Sequence, residues 1–202
     1  KKPKGFLLEN VPGLLTSDKG RTFEIIQSEL KKVGYEFYYD VLDAADFGVP
    51  QNRKRLFIVG FRKDLVSDFF KFPKGKEEKA YICDFLEDDP KGYSISEKTQ
   101  NNYLFKLDDG RPQIIDKDSM IQVKTLVASY HKIQRLTGTF VKGGETGLRL
   151  LSELECKRIQ GFPDEYKIPV SRTQMYRQFG NSVAVPVIEE IAKQMVEVLQ
   201  YT

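Results

Sequence analysis

The sequence predicts an α/β fold with a second, small and mostly β domain inserted into it. Three observations predict this. An apolar run, an amphipathic helical stretch and two further β-prone runs succeed one another over residues 5–61, the order of an α/β sheet. Helical periodicity then disappears between Pro73 and Gly147, where Gly, Asp, Lys and Asn cluster around short β-prone pieces such as Met120–Ala128. It returns at Ser152.

Each element has a local reason. Gly5–Glu9 is apolar and ends in charge, the pattern of a buried strand flanked by loops. Thr16, Ser17 and Asp18 are candidate caps for a helix over Thr22–Val33, in which Phe23, Ile26, Leu30 and Val33 share one apolar face. Gly34 is placed to end it. Strands are expected over Glu36–Leu42 and Arg55–Phe61, flanking a loop with Asp46, Gly48 and Pro50. Ser152-Glu153-Leu154-Glu155 reads as a capping box, with Ser152 as N-cap and Glu155 three residues on. Phe179-Gly180-Asn181-Ser182-Val183 is read as opening a last helix over about Pro186–Leu199, where Val187, Ile188, Ile191, Met195 and Val198 lie together. Pro186 suits its first turn, where a missing N–H costs nothing. The expected organisation is a main domain over 1–72, the small domain over 73–149, a hinge or scaffold over 150–179 and a returning C-terminal helix over 180–202.

Composition limits the function classes. The 202 residues are 40% hydrophobic and 30% charged, as in a soluble globular protein of one large or two small domains. No apolar run reaches the roughly 18 residues that span a bilayer, and no signal-peptide pattern opens the chain, so no membrane partner is expected. The two distant cysteines, Cys83 and Cys156, make no disulfide framework, and a reducing, cytoplasmic setting is expected. His131 is the single histidine and nothing has metal-ligand spacing, so no metal is expected. A net charge of +3 permits a polyanionic partner without requiring one.

Several residues could carry chemistry. Glu9 is expected at the carboxyl end of a strand, where open α/β sheets place ligands. Partial burial of a carboxyl favours its protonated form, which can donate to a base, although a strand-end carboxylate can equally cap a loop or pair with a lysine. Asn10 is suited to local bonds that hold the loop. Gln51, Arg53 and Arg55 alternate and, if extended, share one face, as a phosphate-binding or merely solvated loop. Asn181 and Ser182, expected at a helix N-terminus, would sit among free N–H groups, either as ligand contacts or as ordinary caps. Lys124, Lys132, Arg135 and Lys142 surround Thr125-Leu126 and could neutralise phosphates or simply face water.

Four blocks in order, Phe6–Val11, Val49–Arg55, Gln160-Gly161-Phe162-Pro163 and Phe179–Pro186, resemble the C-terminal half of the DNA cytosine-C5 methyltransferases. The resemblance implies the trailing part of an S-adenosylmethionine-dependent, Rossmann-like methyltransferase sheet, including its antiparallel strand, with a target-recognition domain inserted. It implies methyl transfer from S-adenosylmethionine to a cytosine flipped out of double-stranded DNA, in a prokaryotic restriction-modification system. Cytosine C5 becomes nucleophilic once a thiolate adds at C6 and an acid engages N3. By match, Glu9 is the N3 partner, Arg55 reaches O2, and Arg53 joins the same pocket or its supporting network. Asn181 and Ser182 become cofactor contacts, and Thr125 supports a loop at the DNA backbone. Gln51, Lys124, Lys132, Arg135 and Lys142 become DNA contacts, while Glu155 and Arg158 are scaffold.

The family's nucleophilic Pro-Cys and glycine-rich cofactor loop are not in this sequence. Cys83 lacks the preceding proline and Cys156 falls within a helical segment. The expected partners are therefore DNA and the N-terminal half of the enzyme, whether truncated from this chain or a separate subunit, and the chain alone is expected to be inactive. A catalytically silent DNA-binding or regulatory fragment is the alternative. The RNA-directed branch is disfavoured because its Cys-Phe-Thr signature is absent.

Overall fold

A computed structural model describes residues 1–65 and 70–200; residues 66–69 of the expected main domain and the last two of the expected C-terminal segment lie outside the described residues. The elements run β1 (Gly5–Asn10), α1 (Arg21–Lys32), β2 (Tyr35–Asp43), β3 (Lys54–Arg62), α2 (Glu97–Thr99), β4 (Gln113–Ile115), β5 (Thr139–Lys142), β6 (Leu148–Arg149), α3 (Glu153–Gln160), α4 (Arg172–Asn181) and α5 (Val185–Gln200), with short 3-10 and π turns between them. They form two compact units. One comprises Lys1–Asp43, Lys54–Gly75 and Val187–Thr202; the other comprises Ala44–Arg53 and Lys76–Pro186.

The first unit is a three-stranded antiparallel sheet in the order β1-β3-β2. Its central strand β3 is buried from Leu56 to Phe61, as its run of Leu, Phe, Ile and Val requires. Alternation sends Leu56 and Ile58 to a core with Phe23 of α1. Gly60 lacks a side chain because the ring of Phe6, its cross-strand partner, fills that space: a Cβ there would fall 2.2 Å from the ring. Gly34 follows α1 with φ of 87°, the left-handed conformation that ends a helix. The strand read as buried, β1, is instead partly exposed, because among the described residues it pairs only with β3 and forms a sheet edge.

The second unit carries the small sheet β4-β5-β6, with β4 parallel and β6 antiparallel to β5. Its strands are two to four residues long and turns do most of the connecting. The Met120–Ala128 stretch contributes no strand; only Val123 forms a bridge, to Gln51. Ile82, Leu104, Ile115 and Phe140 share one core with Leu151, Ile159, Tyr176 and Phe179. The segment expected as a hinge or scaffold over 150–179 lies in this unit, and so does the loop Ala44–Arg53. The capping box of α3 is present: Ser152 Oγ accepts from the Glu155 N–H (3.1 Å), and Glu155 Oε2 accepts from the Ser152 N–H (2.7 Å). Arg149 donates to both oxygens of the fully buried Glu155, at 2.7 and 2.8 Å. That bidentate pair, tied to a capping box, fixes how α3 enters the core.

Candidate functional site

Within the first unit, Glu9 and Arg55 meet. Glu9 stands opposite Phe57 in the β1–β3 register, so Arg55 is its diagonal neighbour two residues along β3. Arg55 Nε lies 3.0 Å from Glu9 Oε1, with 18% of the arginine and 28% of the glutamate side chain exposed. Arg55 Nη1 donates to the Lys54 carbonyl at 2.8 Å, and Nη2 has no hydrogen bond among the described residues. Next to the pair, Asn10 Oδ1 accepts from the Val11 N–H at 2.8 Å and shapes the turn that ends β1. A carboxyl group and a planar guanidinium with free N–H groups thus stand together at an accessible strand end. They can engage a ring nitrogen and an adjacent carbonyl oxygen at once.

Within the second unit, the sequence motifs converge on one buried hydrogen-bond knot. Gln51, Arg53 and Gln160 are 0%, 3% and 0% exposed. Gln51 donates to the Ile159 carbonyl (3.2 Å) and accepts from the Leu126 N–H (2.7 Å). Arg53 donates to the carbonyls of Leu126 (3.1 Å), Gly180 (3.1 Å) and Ser182 (2.6 Å). Gln160 donates to the Phe179 carbonyl at 2.8 Å. Thr125 Oγ1 donates to the Asn52 carbonyl at 2.6 Å. Close approach completes the knot. A Cβ on Gly180 would lie 2.2 Å from the Ala128 nitrogen and 2.3 Å from the Val127 carbonyl carbon, so only glycine lets these backbones touch.

These positions revise several expectations. The alternation that placed Gln51, Arg53 and Arg55 on one face does not persist, because the first two are drawn into the core and only Arg55 stays accessible. The amide of Gln51 is occupied by backbone partners and is not offered to DNA. Arg53, expected in the pocket or its supporting network, donates into the knot. Asn181 and Ser182 do not open a helix: Asn181 ends α4, Ser182 is its C-cap, and α5 begins at Val185. The backbone groups at that end are helix carbonyls rather than N–H groups, and that of Phe179 accepts from Ser182 Oγ at 2.8 Å. Asn181 and Ser182 line an open recess of 460 Å³ with Gln174, Arg177 and Gln178.

The expected phosphate contacts separate. Arg135 is 7% exposed and donates to the carbonyls of Leu104 and Leu107 and to both carboxylate oxygens of Asp109, so it pins the 104–109 loop and has no reach toward DNA. That guanidinium holds the Asp109 carboxyl below its usual range. Lys142 pairs with Asp116 at 2.7 Å, and Lys124 Nζ donates to the Leu136 carbonyl at 3.1 Å. Lys132 remains exposed. Burial pushes the Cys156 thiol well up, with Glu155 adding to the effect, so it is no nucleophile. Among the described residues no group of His, Cys, Asp and Glu could hold a metal ion, and no helix is long and apolar enough to cross a membrane.

Helix α4 was not anticipated from sequence. Its signals are the Ser171 N-cap, whose hydroxyl accepts from the Gln174 N–H, and the buried face of Met175, Tyr176 and Phe179.

The model of the C-5 cytosine-specific DNA methylases matches residues 1–197. The chain belongs to that family. It is 63% identical over 198 residues to the type II methyltransferase M.BsuFI of Bacillus subtilis and 55% identical over 195 residues to M.MspI of Moraxella. These alignments cover 98% and 96% of this chain, but only 48% and 46% of those relatives, so this cytosine methylase chain spans about half their length. Among solved structures, the Entamoeba histolytica methyltransferase EhMeth superposes with a TM-score of 0.77 at 24% identity, covering 98% of this chain and 63% of that one. A Spodoptera frugiperda DNMT2 mutant superposes with a TM-score of 0.79 at 23% identity, covering 96% and 66%. The cytosine methylase chain therefore has the Rossmann-like methyltransferase fold with its small-sheet insertion.

Proposed function

We propose that this chain is the cytosine-holding and target-reading part of a DNA cytosine-C5 methyltransferase of a restriction-modification system. The observation that carries the proposal is the Glu9–Arg55 pair, 3.0 Å apart at an accessible strand end in a chain matched by the family over 1–197. Arg55 holds the Glu9 carboxyl through Nε, while Nη2 donates to cytosine O2. Glu9 engages N3 and moves a proton to it, which draws electrons from the ring and makes C6 open to thiolate addition. The thiolate belongs to a Pro-Cys outside this chain, in the N-terminal half of the enzyme. Arg53 and Gln51 act as positioning residues: they lock the turn that presents Asn181 and Ser182.

S-adenosylmethionine, when bound, supplies the electrophilic methyl group. The residues present fit such a polar ligand, since the exposed Asn181 amide offers donor and acceptor, and the Ser182 oxygen can still accept while its proton goes to Phe179. Asn181 and Ser182 are the groups that would hold it. Residues 73–149 read the duplex, with Lys124, Lys132 and Lys142 near its backbone and Thr125 bracing the loop.

The test is bisulfite sequencing of DNA from cells expressing this chain with its N-terminal half. C5-methylcytosine at one fixed sequence is expected, at a new sequence once residues 73–149 are exchanged for a relative's, and none from the chain alone. Conversion-resistant cytosines made by the verified chain alone, or none made by the pair, would refute the proposal.

A further inference from the structure

The loop of residues 105–112 joins two anchored points of the second unit, since Leu104 before it and Ile115 of β4 beyond it are fully buried. It has no strand or helix of its own, yet its backbone is pinned from within. Arg135 donates to the carbonyls of Leu104 and Leu107, both at 2.9 Å, and to the carboxylate of Asp109. Asp109 Oδ1 in turn accepts from the Arg111 N–H at 3.1 Å, and Gly110 between them takes φ of 70°, the left-handed region that lets the turn close. Outside this brace, the side chains of Phe105, Lys106, Leu107, Asp108 and Arg111 stay exposed.

An open recess of 570 Å³ lies on the loop, walled by Phe105, Leu107, Pro112 and Ile114 together with Asp108 and Arg111. The Asp108 carboxylate and the Arg111 guanidinium make no hydrogen bond or ion pair among the described residues, with each other included; Arg111 only adds to the field at Asp109. A fixed loop thus offers an acceptor group and a fork of donors, both open, on one apolar recess. Phosphate suits this poorly, because the carboxylate repels it. The major-groove edge of a G·C pair suits it well. Guanine N7 and O6 accept two bonds from a guanidinium, and the cytosine N4 amino group donates to a carboxylate. Apolar walls keep water from such bonds and strengthen them.

We propose that Arg111 and Asp108 read one G·C pair of the target duplex in the major groove, with Phe105 and Leu107 packed against the neighbouring base edges. The proposal rests on the reading of residues 73–149 as the part that reads the duplex, and it names the side chains that choose a base there.

The experiment presents the assembled enzyme, this chain with its N-terminal half, with a pool of duplexes randomised around the target cytosine, and scores the preference at each position by bisulfite sequencing. The parent is expected to demand G·C, in one orientation, at one position or more. Arg111→Ala should lower that demand at a single position by about 5- to 150-fold, the discrimination of one good bidentate contact, and leave the other positions as they were. Asp108→Ala should relax the same position, and Asp108→Asn, which keeps an acceptor oxygen, should relax it less. Lys106→Ala, in the same loop but outside the recess, should change no preference. All three positions are exposed, so thermal midpoints should match the parent's. An Arg111→Ala enzyme that keeps every preference, or loses rate evenly over all sequences as with a lost phosphate contact, would overturn the proposal and leave the duplex-reading role standing. A parent enzyme that makes no methylcytosine would overturn both.

Discussion

Replacing Arg53 with Met separates support from chemistry. The methionine fills similar apolar volume but removes every donor to the carbonyls of Leu126, Gly180 and Ser182, the first two buried and the third partly so. A buried acceptor left without a partner costs about 1–3 kcal/mol, so three of them place the loss near 3 kcal/mol or above. With a urea dependence of about 1–3 kcal/mol per molar, the unfolding midpoint should fall by roughly 1–3 M. Arg53→Lys, which keeps one donor group, should fall between. Arg55→Ala should lower the midpoint far less, because a partly exposed pair contributes about 0–1 kcal/mol, yet it should abolish most turnover in the assembled enzyme. Circular dichroism in urea reads the first effect and methyl transfer the second. Equal midpoint shifts for Arg53→Met and Arg55→Ala would refute the assignment of Arg53 to the scaffold.

Three further outcomes follow from packing and charge. Gly180→Ala should cost about 1–3 kcal/mol by overpacking, since the new Cβ meets rigid backbone of Val127 and Ala128; a thermal midpoint equal to the parent's would contradict that approach. A thiol-alkylating reagent should label the partly buried Cys83 in the native chain and leave Cys156 unmodified until denaturant is added; equal native labelling by mass spectrometry would contradict the burial that pushes the Cys156 thiol up. Asp109 has its carboxyl lowered by the Arg135 hydrogen bond, so its contribution is present above an unfolded value of about 3.9 and lost as pH falls through the lower folded one. Carbon-detected NMR titration should show that lowered value in the parent and its return toward the ordinary range in Arg135→Gln.

The first unit was legible because its signals are local. The Phe23–Ile26–Leu30 spacing gives α1, Gly34 ends it, and the Leu56–Phe61 run is central because it is apolar on both faces. The capping box at Ser152 and Glu155 was equally readable, since both partners lie within four residues. What escaped depends on long-range partners. An alternating Gln51-x-Arg53-x-Arg55 looks like one exposed face until Leu126, Ile159, Gly180 and Ser182 supply carbonyls and N–H groups from 73 to 129 residues away. Arg135 looks like a phosphate contact until Asp109 approaches from 26 residues upstream. Asn181-Ser182 reads as the start of the Pro186–Leu199 helix. Gly180 just before it serves backbone contact, and the preceding residues are already helical. Glu9 and Arg55 were each named from the resemblance, but their mutual contact, a diagonal across two strands, needed the register.

The most direct test of the account is the single-turnover rate of methyl transfer to a cytosine-containing duplex by the assembled enzyme with Glu9→Gln. Glutamine keeps the size and one hydrogen bond to the base but cannot pass a proton to N3. The account predicts a rate constant lowered by about 10²-fold or more, the usual range for a lost general acid, with duplex affinity changed little. A rate constant equal to the parent's, at saturating DNA and cofactor, would contradict it.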